Sequence, residues 1–137
     1  MSRDQCNYNG CEHFDRKEQA LKAVFLVGAG GALGSLFRYA ISLVTPDTAA
    51  ATLNANLIGV ALAGYFLVLM ERRGITELRW FLLPGFCGGM TTFSAVTIEV
   101  VGENAMGIGY LALTVIASII TIAVVIPFAR ATIKEKA

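Results

Sequence analysis

The chain has 137 residues, of which 55% are hydrophobic and 15% charged, with a formal net charge of +1. Its mean hydropathy is +0.64. Soluble domains usually carry about 25% charged residues, so this composition excludes an ordinary soluble domain, and the small net charge gives no reason to expect a nucleic-acid partner. Four apolar segments reach the roughly 20 residues that a membrane-spanning helix needs, at 23–44, 50–70, 80–102 and 105–129. We therefore predict an all-α integral membrane protein with four transmembrane helices and no second domain.

Residues 1–22 are polar and are predicted to form an N-terminal extension, followed by a transmembrane domain over 23–137. The extension lacks the apolar core of a signal peptide. It contains Cys6, Cys11 and His13, which could supply three metal ligands, although structural zinc sites normally use four ligands and more closely spaced cysteines. We interpret the extension as a solvated tail, with metal binding as the alternative.

The first apolar segment is rich in glycine. A nucleotide-binding G-x-G-x-x-G pattern starting at Gly28 fails, because Leu33 occupies the third glycine position and no strand surrounds it. Gly30 and Gly34 instead form a G-x-x-x-G pair, which lets helices approach closely inside a bilayer. Arg38 lies near the far end, where a charge costs a few kcal/mol unless it is paired or reaches the interface. We predict a structural role for Arg38, with contact to a permeating ion as the alternative.

The second segment combines a polar and a packing face. Thr52 and Asn56 are four residues apart, so they share one side of a helix. A seam of small residues runs beside them at Ala55, Gly59 and Ala63. The polar side chains either connect helices by hydrogen bonds or belong to a site.

The third segment should not form a continuous helix. Its middle holds four residues that weaken or break helices: Pro84, Gly85, Gly88 and Gly89. Main-chain groups released at this depth are tolerated only within protein or facing water, as in the broken helices of channels and transporters. A packing kink is the alternative. The T-T-F-S sequence at 91–94 follows the predicted break, and Glu99 is an intramembrane carboxylate, which indicates function by default.

The fourth segment carries hydroxyls at helical spacing. Tyr110, Thr114 and Ser118 lie at i, i+4 and i+8, with Thr121 about one turn further along. A single such hydroxyl can bond to its own helix. Three in register, together with amide donors and ring edges, suit the lining of a path for a small anion.

These segments together resemble the Fluc (CrcB) family of fluoride channels over residues 23–129. The resemblance is carried by GGALGSLFRY at 30–39, TLNANLIG at 52–59, GFCGGMTTFS at 85–94, Glu99 and the hydroxyl residues of the fourth segment. It implies a prokaryotic inner-membrane channel that lets cytoplasmic fluoride leave passively and so reduces its toxicity. It also implies two subunits packed antiparallel around two pores.

The resemblance further implies which residues line the path and hold a structural sodium ion at the dimer centre. The sodium ligands would be the main-chain carbonyls of Gly88 and Thr91. Arg38 matches the arginine of the family's first helix. The residues at family pore or vestibule positions are Thr52, Asn56, Phe93, Ser94, Glu99, Tyr110, Thr114 and Ser118.

The chain departs from the family pattern at one pore position. After T-T-F-S the family has T-F, whereas this chain has Ala95 and Val96, so the second pore phenylalanine is missing. Because valine offers no ring edge to fluoride, we expect that not every pore built with this subunit conducts.

Basic residues are distributed unequally between the two ends of the predicted spans. Of eleven lysines and arginines, ten lie in the N-terminal extension, the loop between the second and third spans, or the C-terminus, and only Arg38 lies within a span. The positive-inside rule then places both termini in the cytoplasm. An antiparallel homodimer needs copies inserted both ways, so this bias favours a heterodimer with a paralogue of opposite orientation. An ordinary homodimer is the alternative.

Other functional classes remain as alternatives. A fluoride/proton antiporter, or another small-anion secondary transporter, would also use a broken helix and a carboxylate such as Glu99, but usually shows inverted repeats. A purely structural membrane protein would not need aligned polar residues. We expect no enzymatic activity, because the spans contain no histidine and no cysteine has a nearby base.

Overall fold

The computed structural model describes residues 3–74, 78–102 and 104–134, with side chains described over 17–74, 78–98, 100–101 and 107–134. Within these ranges the chain contains helices and no strand. The elements are α1 (Arg3–Val44), α2 (Thr48–Arg73), α3 (Leu78–Trp80), a π-helical stretch (Phe81–Cys87), α4 (Gly88–Met90), α5 (Ser94–Gly102) and α6 (Asn104–Thr132).

Among the described residues, four stretches are long and apolar enough to cross a membrane: Lys17–Val44, Thr48–Arg73, Leu78–Ile98 and Gly107–Thr132. They coincide with the four segments predicted from the sequence, so the prediction of an all-α, four-span membrane protein is confirmed. The third span consists of α3, the π-helical stretch, α4 and the first part of α5.

Helix α1 begins at Arg3 and continues without interruption into the first span. The main chain of the predicted extension is therefore helical over most of its length, and the boundary at residue 22 stays a prediction. The side chains of Cys6, Cys11 and His13 lie outside the described residues, so the prediction of metal binding concerns side chains that the structure does not describe.

The second span has well-defined ends. The side chain of Asp47 accepts a hydrogen bond from the Ala49 amide at 3.3 Å and caps the start of α2. At the other end, Gly74 has a left-handed conformation with φ of 65°, and its amide donates to the Met70 carbonyl at 2.9 Å. Glycine adopts this conformation without the steric cost of a Cβ, so Gly74 ends the helix.

The ends of α2 and α6 pack together around a small buried cluster formed by Val68, Ala129 and Ile133. Arg72 donates a hydrogen bond from its guanidinium to the Ile133 carbonyl at 2.6 Å. The carbonyls at a helix C-terminus lack partners within the helix, so this bond both satisfies one carbonyl just beyond α6 and ties it to α2.

Helix α1 packs directly against the main chain of the third span. A Cβ on Gly30 would overlap the Phe81 carbonyl, and one on Gly34 would overlap the Phe86 carbonyl. From the other side, a Cβ on Gly89 would overlap the Gly31 carbonyl. Only glycine permits this separation, and this close packing of small residues is typical of helices within bilayers.

The third span is interrupted later than the sequence indicates. Pro84 lies in the π-helical stretch, whose wider turn accommodates a residue without an amide hydrogen, and helical geometry continues through Met90. The interruption comes at 91–93, where Thr91 is extended with φ of −82° and ψ of 148°. Gly89, one of the residues on which the prediction rested, is a contact point with α1 rather than the point of the break.

Candidate functional site

The interruption in the third span faces Asn56 of α2. The Thr92 amide donates to the side-chain oxygen of Asn56 at 2.8 Å, and the Asn56 side-chain nitrogen donates to the Thr92 carbonyl at 3.1 Å. Asn56 is only 7% exposed. Main-chain polar groups inside a bilayer need partners, and this single side chain satisfies both groups of Thr92.

The hydroxyl of Thr92 organises the start of α5. It forms a 3.0 Å hydrogen bond with the Ser94 hydroxyl and accepts a longer bond of 3.4 Å from the Ala95 amide. A threonine oxygen that accepts from the amide three residues later is typical of helix N-termini. Ser94 itself is exposed, and the Ser94 carbonyl accepts from the Thr97 hydroxyl at 2.7 Å.

Three carbonyls next to the interruption accept no hydrogen bond from the described residues: those of Gly88, Met90 and Thr91. Gly88 is exposed and Thr91 is half-buried, whereas Met90 is buried. Both the amide and the hydroxyl of Thr91 donate to the Cys87 carbonyl, at 3.0 and 3.1 Å. The carbonyl oxygens of Gly88 and Thr91 therefore have no hydrogen-bond donor among the described residues, at the end of the first half of this span.

A cavity of about 350 Å³ lies beside this interruption, between α2, the third span and α6. Its polar lining consists of Asn56, Thr91, Thr92, Thr114 and Ser118. Its apolar lining consists of Val60, Phe93, Val96, Leu111, Val115 and Ile119. A largely apolar lining with a few polar groups is the usual composition of a small-molecule site.

The two residues at the positions of the family phenylalanines differ in exposure. The Phe93 side chain is 69% exposed in this single chain, whereas Val96 is only 1% exposed. Phe93 thus presents its ring at the edge of the cavity, and Val96 forms part of the wall with no ring to offer.

The hydroxyls of α6 all donate to main-chain carbonyls. Thr114 donates to the Tyr110 carbonyl at 2.8 Å, Ser118 to the Thr114 carbonyl at 2.7 Å, and the Tyr110 phenol to the Ala49 carbonyl at 2.8 Å. Thr121 bonds in the same way to Ala117 at 2.8 Å. In this arrangement the hydroxyl lone pairs, not the hydrogens, remain available. To donate to an anion, Thr114 or Ser118 must rotate and exchange one hydrogen bond, which has a net worth of about 1 kcal/mol.

The structure gathers some of the predicted site residues and separates others. Asn56, Phe93, Thr114 and Ser118 line the cavity, whereas Thr52, Ser94 and Tyr110 do not. Thr52 is only 8% exposed and lies one helical turn from Asn56.

Two charged residues were singled out in the sequence, and Arg38 is not among the residues that line the cavity. Arg38 is half-buried and forms no ion pair or hydrogen bond with the part of the chain that the structure describes. Glu99 lies in α5, with its side chain outside the described residues.

Thr92 lies in the T-T-F-S sequence noted above, but it was not among the predicted site residues. Its amide, carbonyl and hydroxyl all form bonds across or beside the interruption. The available signal was the position of a threonine just before an apolar helical run, which is a common helix N-terminal pattern. The partner of its main chain, Asn56, lies 36 residues away and could not be paired with it from local sequence.

The fold and this site together define a multi-pass helical membrane protein with a partly polar cavity at an interrupted third span. Residues 25–126 match the family model described as CrcB-like protein, Camphor Resistance (CrcB). This match covers most of the chain, which therefore belongs to the CrcB family.

Several relatives support this assignment along most of the chain. A protein of Paracoccus denitrificans named fluoride-specific ion channel FluC is 38% identical over 109 residues, which cover 72% of this chain and 88% of that relative. A protein of Rhizobium etli with the same name is 40% identical over 103 residues, covering 66% of this chain and 82% of the relative. A third protein with this name, from Leptospira interrogans, is 36% identical over 110 residues, which cover 72% of this chain and 87% of that relative.

Proposed function

We propose that this chain is a subunit of a fluoride-selective passive ion channel that exports cytoplasmic fluoride and so reduces its toxicity. The observation that carries the proposal is the cavity in which Asn56, Thr114 and Ser118 face Phe93 beside the interrupted third span. Membership of the CrcB family and the names of the relatives, fluoride-specific ion channel FluC, support it.

The chemistry of fluoride explains how such a channel works without fuel. Hydrogen fluoride is a weak acid that crosses membranes as a neutral molecule and dissociates inside the cell. The trapped anion can then leave through a passive path, driven by the negative-inside membrane potential. The path must replace a tightly held hydration shell with protein donors, and a narrow lining excludes larger anions.

Donors for the anion come from three kinds of group at the cavity. The Asn56 amide has two N–H hydrogens, and the bond to the Thr92 carbonyl uses one of them. The ring edge of Phe93 carries partial positive charge. Thr114 and Ser118 can rotate their hydroxyls toward the ion, and each rotation exchanges one hydrogen bond with a net worth of about 1 kcal/mol. We assign these four residues to the narrow part of the path.

The remaining predicted path residues would act outside this narrow part. We propose that Thr52, Ser94, Glu99 and Tyr110 line the vestibules that the second subunit completes. Arg38 would have a structural role near the end of the first span, since a half-buried cation within α1 requires a partner or access to water.

We further propose that the Gly88 and Thr91 carbonyls hold a monovalent cation, sodium, at the centre of the dimer. Their oxygens accept no hydrogen bond from the described residues, and hard cations prefer oxygen ligands. Matching carbonyls from the second subunit would complete the ligand set. When bound, the ion supplies positive charge that attracts carbonyl oxygens of both subunits and so joins them.

For the assembly, we propose an antiparallel dimer with both termini of this chain in the cytoplasm. Outside the spans, ten basic residues lie on one side and none lies in the two loops on the other, which supports a single orientation. The second subunit would then be a paralogue with opposite charge bias, and the missing ring at Val96 would leave only one competent pore. An antiparallel homodimer with efficient efflux, purified after expression of this chain alone, would overturn the heterodimer.

Fluoride efflux from liposomes tests the function. The protein is reconstituted alone and together with a paralogue, and external fluoride is recorded after a potassium ionophore clamps the membrane potential. A channel gives rapid efflux that depends on the potential and is independent of a proton gradient. Efflux that follows the proton gradient at a clamped potential would instead identify a fluoride/proton antiporter. No efflux from either preparation would reject the proposal.

A further inference from the structure

The two carbonyls proposed as cation ligands are those whose usual helical donors are bonded elsewhere. In a continuous α-helix, each amide donates to the carbonyl four residues earlier. The Thr92 amide would therefore donate to Gly88, and the Ala95 amide to Thr91. Here the Thr92 amide donates to the side-chain oxygen of Asn56 at 2.8 Å, and the Ala95 amide donates to the Thr92 hydroxyl at 3.4 Å.

We infer that Asn56 and Thr92 are positioning residues for the cation site: their side chains take up two main-chain donors and thereby leave the carbonyls of Gly88 and Thr91 free for the ion. This inference rests on the proposed sodium site. It assigns Asn56 a second role beyond lining the anion path, and it assigns a role to Thr92, which belongs to the matching T-T-F-S sequence but was not among the predicted site residues.

The bonds of Asn56 explain why a side chain is needed at this point. The third span must stop being helical within a bilayer, where an unpaired amide or carbonyl costs several kcal/mol. Asn56 offers one acceptor and one donor to the same residue and is 93% buried, with 7% of its surface exposed. Without it, the lowest-cost partner of the Thr92 amide is the Gly88 carbonyl, and this pairing removes a cation ligand.

The same amide therefore belongs to both sites. The bonds to Thr92 keep the Gly88 and Thr91 carbonyls free for the cation, and the same Asn56 side chain lines the cavity that we assign to the anion. The geometry thus couples the cation site to the anion path through one side chain, with no other residue between them. Loss of the cation should disturb the orientation of Asn56, and replacement of Asn56 should weaken the binding of the cation.

The experiment measures sodium affinity separately from fluoride flux. The assembled protein, purified with its paralogue if one is needed, is heated in detergent at increasing sodium, with N-methylglucamine keeping the ionic strength constant. The sodium concentration that gives half of the maximal rise in melting temperature reports affinity. The variants are Asn56→Leu and Thr92→Val, with Thr92→Ser to restore the hydroxyl and Thr114→Val as the matched control.

We expect Asn56→Leu to raise the half-saturating sodium concentration on the order of tenfold, as expected when one good hydrogen bond is redirected. Thr92→Val should raise it less, on the order of threefold, because the 3.4 Å bond is longer and weaker. Thr92→Ser should match the wild type. Thr114→Val should lower flux without changing sodium affinity, since the Thr114 hydroxyl bonds only within α6.

The outcomes separate this inference from the proposed function. If sodium does not change the melting temperature of the wild type, the cation site itself is wrong and the inference falls with it. If the wild type responds and Asn56→Leu and Thr92→Val keep its half-saturating concentration, the inference alone is wrong. Should Asn56→Leu fail to assemble at any sodium concentration, the inference is tested by Thr92→Val and Thr92→Ser alone. It is wrong if the two variants have the same half-saturating sodium concentration.

Discussion

Replacing Gly34 by alanine should destabilise the protein, because the added methyl group has no space between α1 and the third span. The Cβ would lie 2.8 Å from the Met90 amide nitrogen and would overlap the Phe86 carbonyl. Ordinary contacts of this kind begin at 3.4 Å, so the two main chains must separate by at least 0.6 Å. Neither atom can move away as a flexible side chain would.

The magnitude follows from two opposing effects. Overpacking of this kind costs about 1–3 kcal/mol. Alanine is the better helix former and returns up to about 1 kcal/mol. We therefore expect a net destabilisation of about 1–2 kcal/mol for Gly34→Ala. Gly28→Ala is the matched control on the same helix: apart from its chain neighbours and its own helix main chain, no atom lies within 4 Å of the added Cβ, so only the favourable effect applies.

The assay is reversible unfolding in mixed micelles with increasing SDS, followed by fluorescence of the single tryptophan, Trp80. Trp80 lies next to the π-helical stretch that contacts α1, so its emission reports this interface. Protein concentrations must be equal, because dimer stability depends on concentration. Equal midpoints for Gly34→Ala and Gly28→Ala would refute the close packing of α1 against the third span.

Three further predictions concern the path and the helix ends. Replacing Asn56 or Phe93 by alanine should lower fluoride flux without unfolding the protein, and wild-type flux in both variants would remove these residues from the path. Val96→Phe should increase flux in liposomes by restoring the missing ring, since the adjoining cavity of about 350 Å³ gives the ring room; unchanged flux would show that Val96 does not limit conduction. Arg72→Met should lower the free energy of unfolding by about 1.5 kcal/mol through loss of a charged donor. An unchanged SDS midpoint would mean that its 2.6 Å bond to the Ile133 carbonyl contributes nothing.

The four spans could be predicted from the sequence because length and apolar composition determine them almost alone. The G-x-x-x-G pair at Gly30 and Gly34 likewise indicated close helix packing, and the structure places main-chain atoms against both residues. These are local or composition-based signals. They do not depend on which residues of distant segments meet.

The position of the interruption could not be predicted in the same way. Pro84 and the neighbouring glycines indicate only that helix is weak in this region. The interruption falls at 91–93, where Asn56, 36 residues earlier, supplies the partner that the Thr92 amide would otherwise find within the helix. A long-range bond therefore decides the point at which the helix stops.

The hydroxyl residues of α6 show a similar limit. Their spacing predicts that Thr114 and Ser118 share one face, and both line the cavity. The spacing says nothing of the hydrogen positions. In the structure both hydroxyls donate to main-chain carbonyls, so the face offers lone pairs until the side chains rotate.

The reversal potential of single-channel currents tests the central proposal most directly. The assembled protein is inserted into a planar bilayer with unequal fluoride and equal chloride on the two sides, at matched pH. A passive fluoride-selective channel gives a current that reverses at the fluoride equilibrium potential and does not shift when a pH gradient is added. A reversal near zero, where chloride is at equilibrium, or one that moves with the pH gradient, would contradict the account.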